Sequence, residues 1–192
     1  GDLGFLGENE VNIFLLAAKY GSIKIIGWFL KKNIDINIKN DLNETALMLA
    51  ASNNKLEVLY FLIKNGVDVN LKNKKGETAL LYAVENGYKY IVELLIKTGA
   101  DVNVQNYYYD NENSKLIYDK TALIIASEKG YKEIVEILIN NKSNLNIQDK
   151  KGNTALLSAI KNENIEIAKL LIKKGININK KDFSFDYGKK IP

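Results

Sequence analysis

The segment that decides the fold is Asn73–Gln105, which reads NKKGETALLYAVENGYKYIVELLIKTGADVNVQ. Within it, Thr78–Val84 has apolar residues three and four apart, which predicts a short helix. Gly87 ends that pattern, and Ile91–Lys97 follows as a second helix with a broader apolar face. Gly99 stands where a left-handed residue commonly closes a helix. Neither helix is long enough to be stable alone in water, so each must pack on neighbouring segments.

The same pattern recurs along the chain. A Thr-Ala-Leu triplet begins at Thr45, Thr78, Thr121 and Thr154. A second marker, Asp or Asn followed two residues later by Asn, begins at Asp35, Asp68, Asp101, Asn144 and Asn177. In both series the spacing is 33 residues, except for one interval of 43. Two independent markers with one period and one shared slip predict stacked repeats with a ten-residue insertion.

These residues resemble the ankyrin repeat, whose pattern is in register at Gly76, Thr78, Leu80, Ile91–Leu95 and Gly99–Asn103. The resemblance covers about residues 7–181 and implies an all-α, ankyrin-like solenoid of helix-turn-helix repeats. Short β-hairpin turns, called fingers, would join consecutive repeats within a single domain spanning 1–192. The resemblance implies five repeats and a C-terminal cover, at residues 7–39, 40–72, 73–105, 106–148, 149–181 and 182–192.

The chain departs from the family pattern at several positions. The family's histidine is replaced by an apolar residue at Met48, Leu81, Ile124 and Leu157, so apolar packing is expected there instead of a polar network. The first repeat has Asn12 where threonine is expected, and the last has Glu163 and Asn164 where glycine and histidine are expected. Atypical terminal repeats are typical of caps.

Composition excludes many kinds of chemistry. The chain has 192 residues, no cysteine and no histidine, and all 27 of its basic residues are lysine. Ordinary zinc, copper or haem ligation, a thiol nucleophile and a Ser-His-Asp triad are therefore excluded. A calcium-loop resemblance beginning at Asp110 fails, because Lys115 and Thr121 stand where glycine and glutamate are needed. We expect no enzyme, cofactor or metal within these residues.

The expected partner is a protein. The net charge of +4 is mild, and without arginine there is no bidentate readout of bases or phosphates, so a nucleic-acid partner is not expected. No apolar run approaches the roughly 20 residues of a membrane span. We expect a soluble monomer, and the compartment stays open: cytoplasmic, or exported after loss of a leader.

The resemblance implies that partners dock on a concave face formed by finger tips and first helices. Its charged candidate residues are Lys74, Lys75, Glu77, Glu85, Lys120, Lys129, Lys150 and Lys151. Lysines outnumber carboxylates there, which fits either a mildly acidic partner or lysine simply filling solvated positions.

The insertion is the second candidate surface. It contains Tyr107, Tyr108, Tyr109 and Tyr118, and two apolar stretches flank the polar residues 110–114, a pattern that predicts a β-hairpin. Exposed tyrosines supply contact area at low entropic cost. Alternatively, they pack on neighbouring fingers, and both hold if one face of the hairpin packs while the other is exposed.

Other apolar residues are assigned to packing. Leu94, Leu95, Leu138 and Leu171 are predicted core residues, Tyr88 and Tyr131 should pack the connection between helices, and Trp28 should be core or a terminal cap. The functional hypothesis is a non-catalytic protein–protein interaction module. The alternative is a regulatory or targeting fragment of a larger enzyme or transporter whose other domains lie outside this chain.

Overall fold

The computed structural model describes residues 8–110 and 115–178, so the predicted cover over 182–192 lies outside the described residues. Ten helices occur in this part of the chain as consecutive pairs, and one hairpin interrupts them. The elements are α1 Glu8–Tyr20, α2 Ile23–Lys31, α3 Ala46–Ser52, α4 Leu56–Lys64, α5 Ala79–Glu85, α6 Lys89–Lys97, β1 Gln105–Asp110, β2 Lys115–Thr121, α7 Ala122–Lys129, α8 Lys132–Asn140, α9 Ala155–Lys161 and α10 Ile165–Lys173. The predicted helix-turn-helix fold with a hairpin finger is confirmed.

Threonine side chains start the first helix of most pairs. Their Oγ1 atoms accept a hydrogen bond from the backbone N–H three residues later, at 3.3–3.4 Å. The four caps are Thr45, Thr78, Thr121 and Thr154. In the first pair Asn12 stands at this position, but α1 already begins at Glu8 and runs through it. The atypical residue therefore accompanies a longer first helix.

The chain divides into two compact units, with the boundary between Asp101 and Val102. In the first unit the first helices pack in succession, α1 on α3 and α3 on α5, and the second helices α2, α4 and α6 also contact in succession. In the second unit α7 packs on α9, α10 contacts α8 and α9, and β2 leads into α7. Among the described helices, none combines the length and the apolarity needed to cross a bilayer.

Leucines fill the core of each unit, as predicted. Leu95, Leu138 and Leu171 have no exposed surface, and Leu94 is 7% exposed. Met48, Leu81 and Ile124, which replace the family's histidine, are also buried, while Leu157 is partly buried. Apolar packing thus takes the place of a polar network at these positions.

Trp28, predicted to be either a core residue or a terminal cap, is not a core residue. Its side chain is 54% exposed, and its ring packs edge-on against Phe29 with 4.9 Å between ring centroids. Lys32 Nζ lies 5.7 Å from the indole centroid. Trp28 occupies the position of Phe61 and Leu94 in later helices, but within the described residues no earlier helix pair lies beside it.

Left-handed residues shape the turn inside each helix pair. Gly87 and Gly130 have φ of 72° and 78°, and Glu163 takes the same conformation at 58° in the last pair. The following residue, Asn164, donates two hydrogen bonds from Nδ2 to the carbonyl oxygens of Ser127 and Glu128, at 2.8 and 3.1 Å. The predicted left-handed position of Gly99 is confirmed at φ 97°.

An asparagine ladder joins consecutive helix pairs within each unit. In each rung an asparagine Oδ1 accepts the backbone N–H of the equivalent turn in the next pair, at 2.7–2.9 Å. The acceptor and donor residues are Asn37 and Asp68, Asn70 and Asp101, Asn103 and Asn144, and Asn146 and Asn177.

Candidate functional site

The fingers are shaped by one side-chain acceptor at their base. Asn73 Oδ1 accepts the backbone N–H groups of Lys75 and Glu77, at 2.8 and 2.9 Å. Asn40 and Asp149 make equivalent pairs of bonds in their own fingers. This turn satisfies the local backbone and leaves the lysines at its tip, Lys74, Lys75, Lys150 and Lys151, exposed.

The insertion keeps the closing bond of an ordinary finger. Asn106 Oδ1 accepts the backbone N–H of Lys120 at 2.7 Å, the equivalent of the bond between Asn73 and Glu77. Gln105 adds two bonds, from Nε2 to the carbonyl oxygens of Asp119 at 2.6 Å and Gln148 at 3.0 Å. The inserted residues therefore extend from a finger base that is closed by hydrogen bonds and is also hydrogen-bonded to the turn of the next helix pair.

The insertion forms the predicted β-hairpin. β1 and β2 are antiparallel, with Tyr107 opposite Tyr118 and Tyr109 opposite Leu116. Because side chains alternate along a strand, these four residues share one face, which we call the tyrosine face. The rings of Tyr107 and Tyr118 meet edge-on with 5.9 Å between centroids. Tyr109 and Tyr118 are each 56% exposed, and Leu116 is 47% exposed.

The opposite face of the hairpin contacts the next finger. The ammonium of Lys150 lies 4.6 Å from the ring centroid of Tyr108, within cation–π distance. Lys150 also pairs with Asp119, with Nζ 3.3 Å from Oδ2. The structure thus separates the four tyrosines: Tyr108, which is 41% exposed, contacts Lys150 of the neighbouring finger, and the other three lie on the tyrosine face.

A polar cavity of about 250 Å³ lies beside the hairpin base in the second unit. Its lining residues are Asp119, Lys120, Glu128, Asp149, Lys150, Lys151, Asn153, Ser158, Lys161 and Asn162. Lys120 Nζ lies 2.6 Å from Glu128 Oε2, so this candidate lysine, like Lys150, has a carboxylate partner. Sequence reasoning missed both pairs, because the partners belong to different segments of the chain.

A hydrogen-bond network holds Glu77, which was predicted as a contact residue. Glu77 Oε2 accepts from Asn73 Nδ2 at 2.8 Å. Asn73 Nδ2 also donates to the Tyr82 hydroxyl at 3.1 Å, and that hydroxyl donates to Glu44 Oε1 at 3.0 Å. Burial and the neighbouring carboxylates of Glu77 and Glu44 raise the pKa of the Tyr82 phenol far above its ordinary value. Glu77 thus has a structural role in its finger.

The remaining candidates lie at the ends of first helices. Glu85 ends α5 and Lys129 ends α7, and both are exposed. Tyr88 and Tyr131 are partly buried in the turns that precede α6 and α8. Within the described ranges, no group of three or more acidic residues is placed to hold a metal ion.

A larger, apolar cavity of about 560 Å³ lies elsewhere, on the second helices of the first unit. Tyr60, Phe61 and Leu94 are among its lining residues. None of the candidate residues lines it, so it is separate from the hairpin site.

Comparison with protein-family models gives a match described as ankyrin repeats, in three copies, over residues 14–106 and 108–182. The matched residues include all of the threonine caps and nearly the whole described chain. A search of curated proteins finds no match. Ankyrin repeats are generally protein–protein interaction modules and are typically non-catalytic. The helix pairs and fingers of this chain, together with this match, show that the chain belongs to the ankyrin-repeat family.

Proposed function

We propose that this chain binds a protein partner through the tyrosine face of its inserted hairpin. One observation carries the proposal: Tyr107, Tyr109, Leu116 and Tyr118 project from one side of a two-stranded hairpin, and three of them are about half exposed. Large aromatic side chains supply much of the binding energy in protein interfaces. The general role of ankyrin repeats as interaction modules supports a protein as the ligand.

Preorganisation of the hairpin favours this use. Gln105 and Asn106 close its base with three hydrogen bonds, and Lys150 holds its opposite face. A surface that is ordered before binding loses less conformational entropy when the partner docks. Tyrosine adds to this advantage because its side chain has only two rotatable angles to fix.

The charged candidates supply a weaker, supporting contribution. Lys120 and Lys150 are each paired with a carboxylate, which reduces the charge they present to a partner. Lys74, Lys75 and Lys151 are exposed finger residues and carry the proposed preference for a mildly acidic partner surface. Lys129, at the end of α7 in the second unit, and Glu85, at the end of α5 in the first unit, are each proposed as an additional contact of their own unit.

The test compares two matched double variants. The partner is first identified by capture from the native lysate, and its dissociation constant is then measured by titration calorimetry. We expect Tyr109→Ser with Tyr118→Ser to weaken binding about 30-fold or more, the loss of two moderate hot spots. The control, Tyr60→Ser with Tyr90→Ser, removes two similarly exposed tyrosines, 57% and 71%, from the second helices of the first unit. It should change the dissociation constant less than about twofold.

Equal effects of the two double variants would contradict a role for the tyrosine face. If both double variants lose binding, the partner contacts the second helices. If both double variants retain binding, the partner contacts the finger lysines instead. Binding measured at low and high ionic strength tests the charge preference separately, because exposed charge pairs are screened by salt.

A further inference from the structure

One position of the first helices carries a much smaller side chain in the last pair than in the others. It follows the capping threonine by four residues and is occupied by Leu49, Tyr82, Ile125 and Ser158. In the first unit the phenol of Tyr82 reaches the fingers, where its hydroxyl donates to Glu44 Oε1 at 3.0 Å and accepts from Asn73 Nδ2 at 3.1 Å. Ser158 is too short to make an equivalent bridge.

In the second unit a cavity lies beside this short side chain. Ser158 lines the polar cavity of about 250 Å³ at the hairpin base, together with Lys120 and Asp149. The latter two residues stand at the positions of Glu44 and Asn73, the two partners of the phenol in the first unit. Ser158 is only 5% exposed, and among the described residues its hydroxyl has no hydrogen-bond partner. A buried hydroxyl that lacks a protein partner indicates a place for a polar ligand.

The polarity of this place is reversed relative to the first unit. Glu44 accepts a hydrogen bond from the phenol, whereas Lys120 at the same position can only donate. Four lysines and three carboxylates line the cavity, so the lining has one positive charge in excess. An ammonium group has three N–H donors, and the pair of Lys120 with Glu128 engages one of them. The occupant that fits these donors is a negatively charged acceptor.

The carboxylates of the lining already have partners within the protein. Asp149 is 6% exposed and accepts three hydrogen bonds, from the backbone N–H groups of Lys151 and Asn153 and from Asn153 Nδ2, at 2.7–2.8 Å. The other two carboxylates form the ion pairs at the hairpin base. Lys161 Nζ donates to a neutral acceptor, Asn153 Oδ1, at 2.6 Å. Its positive charge is therefore not balanced by that bond.

We propose that this cavity binds a carboxylate group, which accepts hydrogen bonds from the Ser158 hydroxyl and from the ammonium groups of Lys120 and Lys161. A carboxylate brings one negative charge and balances the excess charge of the lining, whereas a phosphate group brings about −1.5 to −2. The carboxylate has two sources, an acidic side chain of the protein partner or a free organic acid. Only the first source rests on the proposed function, because no residue of the tyrosine face lines the cavity.

A nuclear magnetic resonance titration of the full chain with propionate tests the site without the partner. Propionate carries the terminal atoms of a glutamate side chain, and propionamide has nearly the same shape without the charge. At constant ionic strength, we expect propionate to shift the backbone amides of Lys120, Asn153 and Ser158 with a dissociation constant of about 1–30 mM, as suits so small a ligand. Propionamide should bind about tenfold more weakly, because hydrogen bonds to a charged acceptor are stronger.

Two lysine variants with the same change of net charge provide the matched comparison. Lys161→Gln should weaken propionate binding about tenfold, the loss of one hydrogen bond to a charged group. Lys75→Gln alters an exposed finger lysine of the first unit and should change the dissociation constant less than about twofold, because exposed charges are screened by salt. Ser158→Leu, which has the side chain of Leu49 at the equivalent position, fills the cavity and should abolish binding. If it is unfolded by circular dichroism, Ser158→Ala removes the hydroxyl alone and should weaken binding about threefold or more.

The protein partner distinguishes the two sources. If an acidic side chain of the partner enters the cavity, Ser158→Leu weakens partner binding about tenfold or more, whatever the result for the tyrosine face. If propionate binds as expected and partner binding is unchanged, the ligand is a free organic acid. Three results would overturn the site itself: shifts that do not saturate with propionate, equal binding of propionamide, or equal effects of Lys161→Gln and Lys75→Gln.

Discussion

A single side chain at the base of a finger closes it in the same way whatever the finger's length. Asn73 and Asn106 accept the same closing bond, although the finger of Asn106 is ten residues longer. The sequence predicts core residues such as Leu95, because their roles follow from helical periodicity. It does not predict the contact of Lys150 with Tyr108, because that distance depends on how the hairpin bends.

Tyr82 provides a pH-dependent test at the residue scale. The raised pKa of its phenol means that the folded chain keeps the proton while the unfolded chain loses it near pH 10. This contribution to stability is fully present below pH of about 10 and is lost as the pH rises further. We expect the destabilisation caused by Tyr82→Phe to be roughly 1 kcal/mol smaller at pH 11 than at pH 8, allowing for solvent screening.

Urea denaturation at the two pH values measures this difference. The subtraction removes the titration of all other groups, which is common to both proteins. Tyr90→Phe is the control, because Tyr90 is 71% exposed and its substitution should have the same small effect at both pH values. A destabilisation by Tyr82→Phe that is constant with pH would show that the phenol titrates normally.

At the scale of elements, the sequence predicts the hairpin but not which of its two faces packs against the next finger. Alternation on either side of a polar turn predicted the strands, and the register confirms them. Which face packs depends on the next finger, where Lys150 contacts Tyr108 and Asp119. The clamp of Gln105 was also missed, since both of its acceptors are backbone carbonyls that leave no mark in the sequence.

Gln105→Glu tests whether that clamp holds the hairpin. The variant keeps the size of the side chain but loses both N–H donors and places a carboxylate beside two carbonyl oxygens. We expect amide hydrogen exchange in β1 and β2 to become about tenfold faster or more, the equivalent of one or two lost hydrogen bonds. The amides of α1–α6 serve as an internal reference.

Asn65→Asp is the matched control in the first unit. It also converts an amide to an acid, and it removes the bond from Nδ2 to the Phe61 carbonyl oxygen. Exchange in the hairpin should be unchanged by it. If Gln105→Glu leaves hairpin exchange equally unchanged, the hairpin is ordered by its strand pairing and by Lys150 alone.

At the scale of the whole molecule, burial depends on neighbours rather than on residue type. Ile13, Ile25 and Trp28 carry the same apolar pattern as buried residues of later pairs, and they are nevertheless exposed. Periodicity predicts which side of a helix is apolar. It cannot show whether another helix pair covers that side, and this is why the sequence left Trp28 open between the core and a terminal cap.

Paired leucine substitutions test the distribution of stability. Leu95 has no exposed surface, so Leu95→Ala should lower the free energy of unfolding by about 2–5 kcal/mol through lost burial and a residual cavity. Leu42→Ala makes the same chemical change at a finger position that is 59% exposed, and it should change stability by less than about 0.5 kcal/mol. Urea denaturation measures both. Similar values for the two variants would contradict the core assignment.

The asparagine ladder also contributes to how a unit responds to mechanical tension. Each rung joins a helix pair only to its immediate neighbour, over 31 residues of chain at Asn37 and Asp68. A force applied along the chain therefore meets these bonds one after another, not all together. Each detached repeat of 33 residues would release roughly 110 Å of chain, so we expect a stretched unit to yield in steps.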